Sequence, residues 1–266
     1  MTTAVDGEPL ETGRGYVAPA DRHLIVLDRR IRLGRGPREN LARPAIDPLL
    51  RSVGLSYGSR AVGVVVTGRL NDGAAGLADL KRCGGTTIVQ GPRDAEAPDM
   101  PLSALRTSDI DYRAPLAELS EALRGVLSRE PHPSPPVPDD VRLEVEIALG
   151  RPVGANDIER IADPAPFSCP ACGGVLSEVR RAPPLRYRCQ VGHAYTAECL
   201  TEEEEAATDE AMRIALRIIE ERANLTGRMA DEASRLGGHL SAREWESRAS
   251  DTRRQVEVLR KALARS

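Results

Sequence analysis

A chain of 266 residues has room for one large domain or two small ones, and a net charge of −3 at pH 7 gives no bulk pull toward nucleic acid or a membrane surface. Only 3% of the residues are aromatic, so any core is built from Leu, Val, Ile and Ala, and no apolar run approaches the ~20 residues of a membrane span. Five cysteines, clustered late, do not suit a disulfide framework, and the first residues lack the basic-then-apolar pattern of a secretory leader, so a cytoplasmic location is expected.

In chain order, Gly15–Pro19 reads as a short strand ending in a loop. Leu24–Leu27 and Ile31–Leu33 flank Asp28-Arg29-Arg30 and predict a β-hairpin. A basic loop, Gly34–Pro44, leads to a helix over Ile46–Ser56, with Asp47 and Pro48 in its first turn. Ala61–Val66 is an apolar, β-branched run, predicted as a buried strand. It breaks into the polar, glycine-bearing turn Thr67-Gly68-Arg69-Leu70-Asn71-Asp72-Gly73, after which Ala74–Arg82 is helical. Asp72 thus falls beyond the carboxyl end of a strand, where ligands bind in doubly wound domains, and near a helix N-terminus, where a carboxylate is favoured. From pattern alone it is a helix cap as readily as a catalytic acid. Thr86–Gln90 is the next strand, Leu102–Thr107 a short helix, and Leu116–Ser128 an amphipathic helix that closes the segment. Strands alternating with helices predict a mostly parallel sheet.

Pro131–Pro138 holds five prolines in eight residues and predicts a stiff, extended spacer. Asp140–Leu149 is a short helix. Cys169-Pro170-Ala171-Cys172-Gly173-Gly174 is a C-x2-C knuckle, and Cys189 with His193 supplies a C-x3-H after sixteen intervening residues. Cys169, Cys172, Cys189 and His193 are the ligand set a structural tetrahedral Zn2+ requires, with no open position for catalysis. Free thiols are the alternative, and Cys199 lies close enough to compete with His193. Val175–Ser177 and Leu185–Arg188 read as two strands of a small ribbon, and Cys83 as a small buried residue. From Thr201 the chain is charged and helical. Met212, Leu216, Ile219, Ala223 and Met229 keep a helical spacing, Gly237-Gly238 breaks it, and Trp245, Ala249, Val256, Leu259 and Leu263 resume it. This predicts a helical hairpin, a packing or self-association element without chemistry.

Four linked segments carry a family resemblance: Tyr16-Val17-Ala18-Pro19-Ala20-Asp21-Arg22-His23; Arg43-Pro44-Ala45-Ile46-Asp47-Pro48-Leu49; Thr67-Gly68-Arg69-Leu70-Asn71-Asp72-Gly73-Ala74-Ala75-Gly76; and Met100-Pro101. In order and spacing, over about Val5–Leu127, they resemble the catalytic domain of CheB-type protein-glutamate methylesterases. The resemblance implies a chemotaxis enzyme that hydrolyses glutamate methyl esters on chemoreceptors and deamidates certain glutamines. It implies a doubly wound α/β fold with a Ser-His-Asp triad, and puts the triad acid at Asp72, ahead of the capping reading. In the family the serine and histidine lie upstream of the segment matched by Asp6-Gly7-Glu8-Pro9-Leu10, so the chain reads as a shortened member, and hydrolysis by it alone is expected near background. Ser56, in Gly54-Leu55-Ser56-Tyr57-Gly58, has a helix before it and a strand after it, the reverse of a nucleophile elbow, so it reads as a helix-to-strand turn. His23 reads as a loop histidine beside the site. Tyr187–Tyr195 resembles the C-terminal extension of some CheB-type proteins.

The expected architecture is therefore an incomplete α/β, doubly wound, mostly parallel three-layer domain over 1–129. A linker with a short helix follows over 130–160, then a zinc ribbon over 161–200 and an α-helical hairpin over 201–266. Expected partners are methylated chemoreceptors or other signalling proteins, with self-association through the hairpin or an exposed sheet edge, and neither nucleic acid nor membrane insertion. An unpaired central edge predicts poor solubility or dimerisation. The alternative function is a non-catalytic interaction module in a signalling complex.

Overall fold

The structure is a computed structural model that describes residues 1–181 and 183–264. The chain forms two compact units, Met1–Leu200 and Thr201–Ser266.

The first unit opens with two short parallel strands, β1 (Thr2–Thr3) and β2 (Tyr16–Val17). The hairpin follows as β3 (His23–Leu27) and β4 (Arg30–Gly34), antiparallel, with Val26 opposite Ile31. Its two turn residues, Asp28 and Arg29, both have positive φ, 51° and 59°, the twist that a two-residue hairpin turn demands. Helix α1 (Ile46–Tyr57), strand β5 (Val62–Val65), helix α2 (Ala74–Arg82), strand β6 (Thr86–Gln90), helix α3 (Asp99–Thr107), strand β7 (Tyr112–Ala114) and helix α4 (Leu119–Leu127) complete the α/β part. The three strands are parallel in the order β5-β6-β7.

Helices lie on both faces of this sheet. Leu50 of α1, Leu77 and Leu80 of α2 and Ala104 of α3 bury Val65 and Val89 on one side. On the other, Ile88 and Ala114 pack with Leu119, Leu123 and Val126 of α4. Burial on both faces explains why the strands are apolar runs rather than alternating ones. Strand β5 forms one edge of the sheet, as expected.

The proline segment is extended but does not act as a spacer. Ser59 donates its N–H to Ser134 Oγ at 2.9 Å and its hydroxyl to the His132 carbonyl at 2.5 Å, which straps the segment to the turn between α1 and β5. Proline has no N–H to satisfy, so an extended run can lie along a surface and leave few backbone donors behind. Helix α5 (Asp139–Leu149) then packs on the hairpin, with Val145 and Ala148 against Ile25.

After the short helix α6 (Ala155–Glu159), the cysteine module is a four-stranded antiparallel sheet, not the two-stranded ribbon expected. Its order is β11 (Ala194–Thr196), β10 (Arg186–Cys189), β9 (Val175–Val179), β8 (Ala162–Ser168). Strand β8 carries Pro164 and Pro166 and shifts register between Pro164 and Ser168, as an edge strand can.

The second unit is the helical hairpin. Helix α7 (Ala197–Arg235) begins at the end of the first unit, and Gly237 and Gly238 turn the chain into α8 (His239–Leu263). Ala223 and Ala230 of α7 and Ala242, Ala249, Thr252 and Val256 of α8 are buried, so small side chains fill the seam. No described helix is long and apolar enough to cross a membrane.

Candidate catalytic rim and metal centre

The segments of the sequence resemblance meet at the carboxyl end of β5. The Gly68 N–H donates to the Ala97 carbonyl at 2.9 Å and the Met100 N–H to the Gly68 carbonyl at 3.0 Å. A Cβ on Gly68 would sit 2.0 Å from Met100 Sδ, so a larger residue there would have to push the Met100 side chain aside. A Cβ on Gly76 would meet the Asp47 backbone at 2.6 Å, and the Gly76 N–H donates to Asp47 Oδ1 at 2.6 Å. Glycine therefore also sets how closely α2 approaches the start of α1.

Asp72 lies at this crossing. Its carboxylate does cap a helix, but the helix is α1 and not α2, which it precedes. Oδ2 accepts the Ile46 N–H at 2.7 Å and Oδ1 the Asp47 N–H at 3.3 Å. Helix α2 starts from Gly73 without a side-chain cap. Burial first, and then the neighbouring Asp47 charge, push the Asp72 carboxyl up to about 7, against the pull of the two backbone N–H groups. Asp47 is raised too, chiefly by burial, despite Arg51.

The two other residues weighed from sequence hold the fold together. His23 is fully buried at the start of β3 rather than in a loop. Its Nδ1 accepts the Ala45 N–H at 3.3 Å and its Nε2 meets the Pro37 carbonyl at 2.9 Å, so one neutral tautomer satisfies both. Burial lowers its pKa, which keeps it neutral. Ser56 lies in the last turn of α1, donating to the Val26 carbonyl at 2.7 Å.

Cys169, Cys172, Cys189 and His193 converge, with one ligand atom from each all within 4.8 Å of one another. Cys172 Sγ and Cys189 Sγ are 3.7 Å apart, and His193 Nδ1 lies 3.4 Å from Cys189 Sγ and 3.8 Å from Cys169 Sγ. A tetrahedron with Zn–S bonds of ~2.3 Å has edges of about 3.8 Å, so the donors fit such an ion. Burial opposes a charge on Cys169, but the Tyr195 hydroxyl and the N–H groups of Cys172 and Ala171 outweigh it and lower its pKa. Among the described residues Cys199 is not in the group; its N–H donates to Thr196 Oγ1 at 3.3 Å.

Sequence reasoning missed what joins the two sites. Arg186 and Arg188 of β10 leave the ribbon on the face opposite Tyr187 and Cys189 and enter a buried ion cluster. Arg188 pairs with Glu39 and with Glu144 of α5, both at 3.1 Å, and Arg186 pairs with Glu144 at 2.9 Å. Arg51 of α1, fully buried, reaches Glu39 at 2.6 Å, Asp79 at 2.9 Å and Glu144 at 3.0 Å. Burial would raise Glu39 and Glu144, but the arginines win and hold both well below the usual carboxylate range. Beside the rim, Asn71 donates to Thr196 Oγ1 at 2.5 Å and Glu198 Oε2 at 3.0 Å, so the ribbon borders Asp72's turn. The alternation Arg186-Tyr187-Arg188-Cys189 was the available signal: a two-residue period with charge on one face needs acids opposite.

The CheB methylesterase family model matches residues 1–123. Residues 1–123 therefore belong to the CheB methylesterase family. This CheB segment is 38% identical over 124 residues to a protein-glutamate methylesterase/protein-glutamine glutaminase of Pyrococcus horikoshii, covering 45% of this chain and 34% of the relative. It is 37% identical over 119 residues to a putative enzyme of the same name from Leptospira interrogans, covering 44% of this chain and 62% of the relative. The chain thus spans about a third of the first relative's length and under two thirds of the second's. The crystal structure of the Thermotoga maritima CheB methylesterase catalytic domain is similar at 30% identity and TM-score 0.45, over 47% of this chain and 68% of that one. In CheB terms, Asp72 stands in the segment's Thr-Gly-x-x-x-Asp-Gly turn.

Proposed function

We propose that the chain serves protein-glutamate methylester hydrolysis and glutamine deamidation on chemoreceptors, with Asp72 as the acid that orients a catalytic imidazole. The observation that carries this is the Asp72 carboxylate itself. It is fixed by two backbone N–H groups at the rim of β5, and among the described residues no side chain donates to it. A carboxyl raised to about 7 by burial and by Asp47 gains from an imidazole N–H, which would favour its charged form. Such an acid holds the imidazole's tautomer and stabilises the imidazolium that forms. The imidazole takes the proton of a serine hydroxyl as the oxygen attacks the ester carbonyl, and returns it to methanol as that leaves. Water then releases the glutamate by the same route. The resemblance assigns this serine and histidine to positions upstream of the segment matched by Asp6-Gly7-Glu8-Pro9-Leu10.

Cys169, Cys172, Cys189 and His193 hold a structural Zn2+ in this reading, supported by their spacing and their tetrahedral edges. The ion would supply cross-linking alone. The hairpin serves self-association. A second reading, a non-catalytic module in a signalling complex, is favoured by the Asn71–Thr196 contact, which brings the ribbon to the rim.

The test is methanol release from a methylated chemoreceptor by the chain alone, and by the chain fused behind the upstream serine- and histidine-bearing segment that the resemblance assigns to CheB-type enzymes. The chain alone is expected at background and the fusion above it. In the fusion, Asp72→Asn should lower kcat by about 10³- to 10⁴-fold. A fusion whose rate ignores that substitution defeats the assignment, and turnover by the chain alone defeats the placing of its serine and histidine elsewhere.

A further inference from the structure

The face of α7 turned away from its seam with α8 is apolar. Ile214, Ile218, Leu225 and Met229 are 45%, 51%, 60% and 37% exposed, and Leu236, just past the helix, is 77% exposed. Their spacings of four, seven, four and seven residues keep them within about 60° of arc at ~100° per residue, in a stripe about 33 Å long. The stripe is symmetric at its ends: Ile214 and Leu236 stand eleven residues to either side of Leu225. Charges line one edge, from Arg217 and Arg228 outside the stripe to Glu232 at the angle of Ile214 itself. Arg217 and Glu221 pair at 2.8 Å within the chain, both largely exposed. Arg228 makes no ion pair among the described residues, and Glu232 meets only Arg235, one turn on.

We propose that this face is a seam for a second copy of the same chain, running antiparallel about a two-fold axis at Leu225. The pairing deepens the self-association reading above and rests on it. In this register Leu225 meets Leu225, Ile214 meets Leu236, and Ile218 and Met229 interleave. Two antiparallel helices related by such an axis place like flanks side by side. Glu221 then lies beside Arg228 of the second copy and Arg217 beside Glu232 of the second copy, each twice by symmetry. A parallel two-fold pairing would instead turn this flank toward the opposite flank of the second copy, and these charges would not meet. The charge pattern thus picks out both the occupant and its direction. An unrelated protein or a lipid surface has no reason to match charges that pair across a point within half a residue of Leu225.

The experiment uses the full chain. Sedimentation equilibrium should show a dimer, and Leu225→Glu should weaken it at least about tenfold. The site is exposed, so the variant folds, which circular dichroism checks. Glu221→Arg alone and Arg228→Glu alone should each weaken the dimer about five- to tenfold, and the two together should restore it to within about twofold. Oxidising a mixture of Ile214→Cys and Leu236→Cys chains should join those two positions by peptide mapping. A monomer at every concentration overturns both this proposal and the self-association reading. A dimer indifferent to Leu225→Glu overturns the seam alone, and so does an Ile214→Cys homodimer cross-link. A monomer that binds anionic phosphatidylserine vesicles through Leu225 overturns the seam in favour of a membrane surface.

Discussion

Where β10 meets α1 the chain buries charge, and along the outer face of α7 it exposes apolar side chains. Both invert the usual pattern of charge outside and hydrocarbon inside. At the first, Arg51 and Arg188 are fully buried and their arms pair with Glu39, Asp47, Asp79 or Glu144, or with the Gly192 carbonyl. The partners sit on segments far apart in sequence, 149 residues in the case of Arg188 and Glu39. The inversion is resolved within one chain. On α7 Leu225 is left 60% exposed among the described residues, and the proposed resolution is a second copy. An inverted pattern therefore points to a missing neighbour, and whether it lies in the same chain depends on where the complementary charges fall.

Breaking the proposed metal centre should have the largest effect. Cys172 is exposed and offers its sulfur as a ligand atom, which serine lacks, so Cys172→Ser should abolish metal retention. It should lower stability by about 5 kcal/mol or more, read by metal content and chemical denaturation. Breaking the buried charge should come next. Arg188→Ala leaves Glu39 and Glu144 in a dry site with one cation fewer, an expected cost of about 3–5 kcal/mol in denaturant midpoint.

The rim sharpens the comparison through pH. Asp72 has a higher pKa folded than unfolded, so the folded chain binds the extra proton between roughly pH 4 and 7 and loses stability as pH rises through that window. Asp72→Asn removes this loss. Its stability relative to the parent should be about 1–3 kcal/mol more favourable at pH 8 than at pH 5. The smallest effect belongs to the exposed stripe. Leu225→Glu should change the stability of the monomer by less than about 0.5 kcal/mol in thermal melts at low concentration, while association is lost.

Much of the fold was legible where a segment carried its own local signal. Ala74–Arg82, Thr86–Gln90 and the Gly237-Gly238 break fall where periodicity and glycine placed them. Strand β7 was missed because Tyr112-Arg113-Ala114 is too short to show alternation, and β8 because Pro164 and Pro166 argue against a strand unless it is an edge. The convergence of Cys169, Cys172, Cys189 and His193 was legible from spacing. Asp72 was legible as a rim carboxylate, but not that it would cap α1, because that contact crosses from residue 72 back to residue 46. The ion cluster had no linear signature beyond the two arginines of β10. Long-range charge pairing is invisible in a single sequence until the fold brings its partners together.

The ribbon is held to the CheB segment by buried charge rather than hung from it by a linker. Hydrogen exchange before and after metal chelation tests this most directly. Removing the metal should deprotect the amides of β9 and β10 and, with them, those of Ile46–Tyr57 in α1, because Arg51 loses the Glu39 and Glu144 network that Arg188 completes. Exchange that quickens in the ribbon while α1 keeps its protection would contradict it.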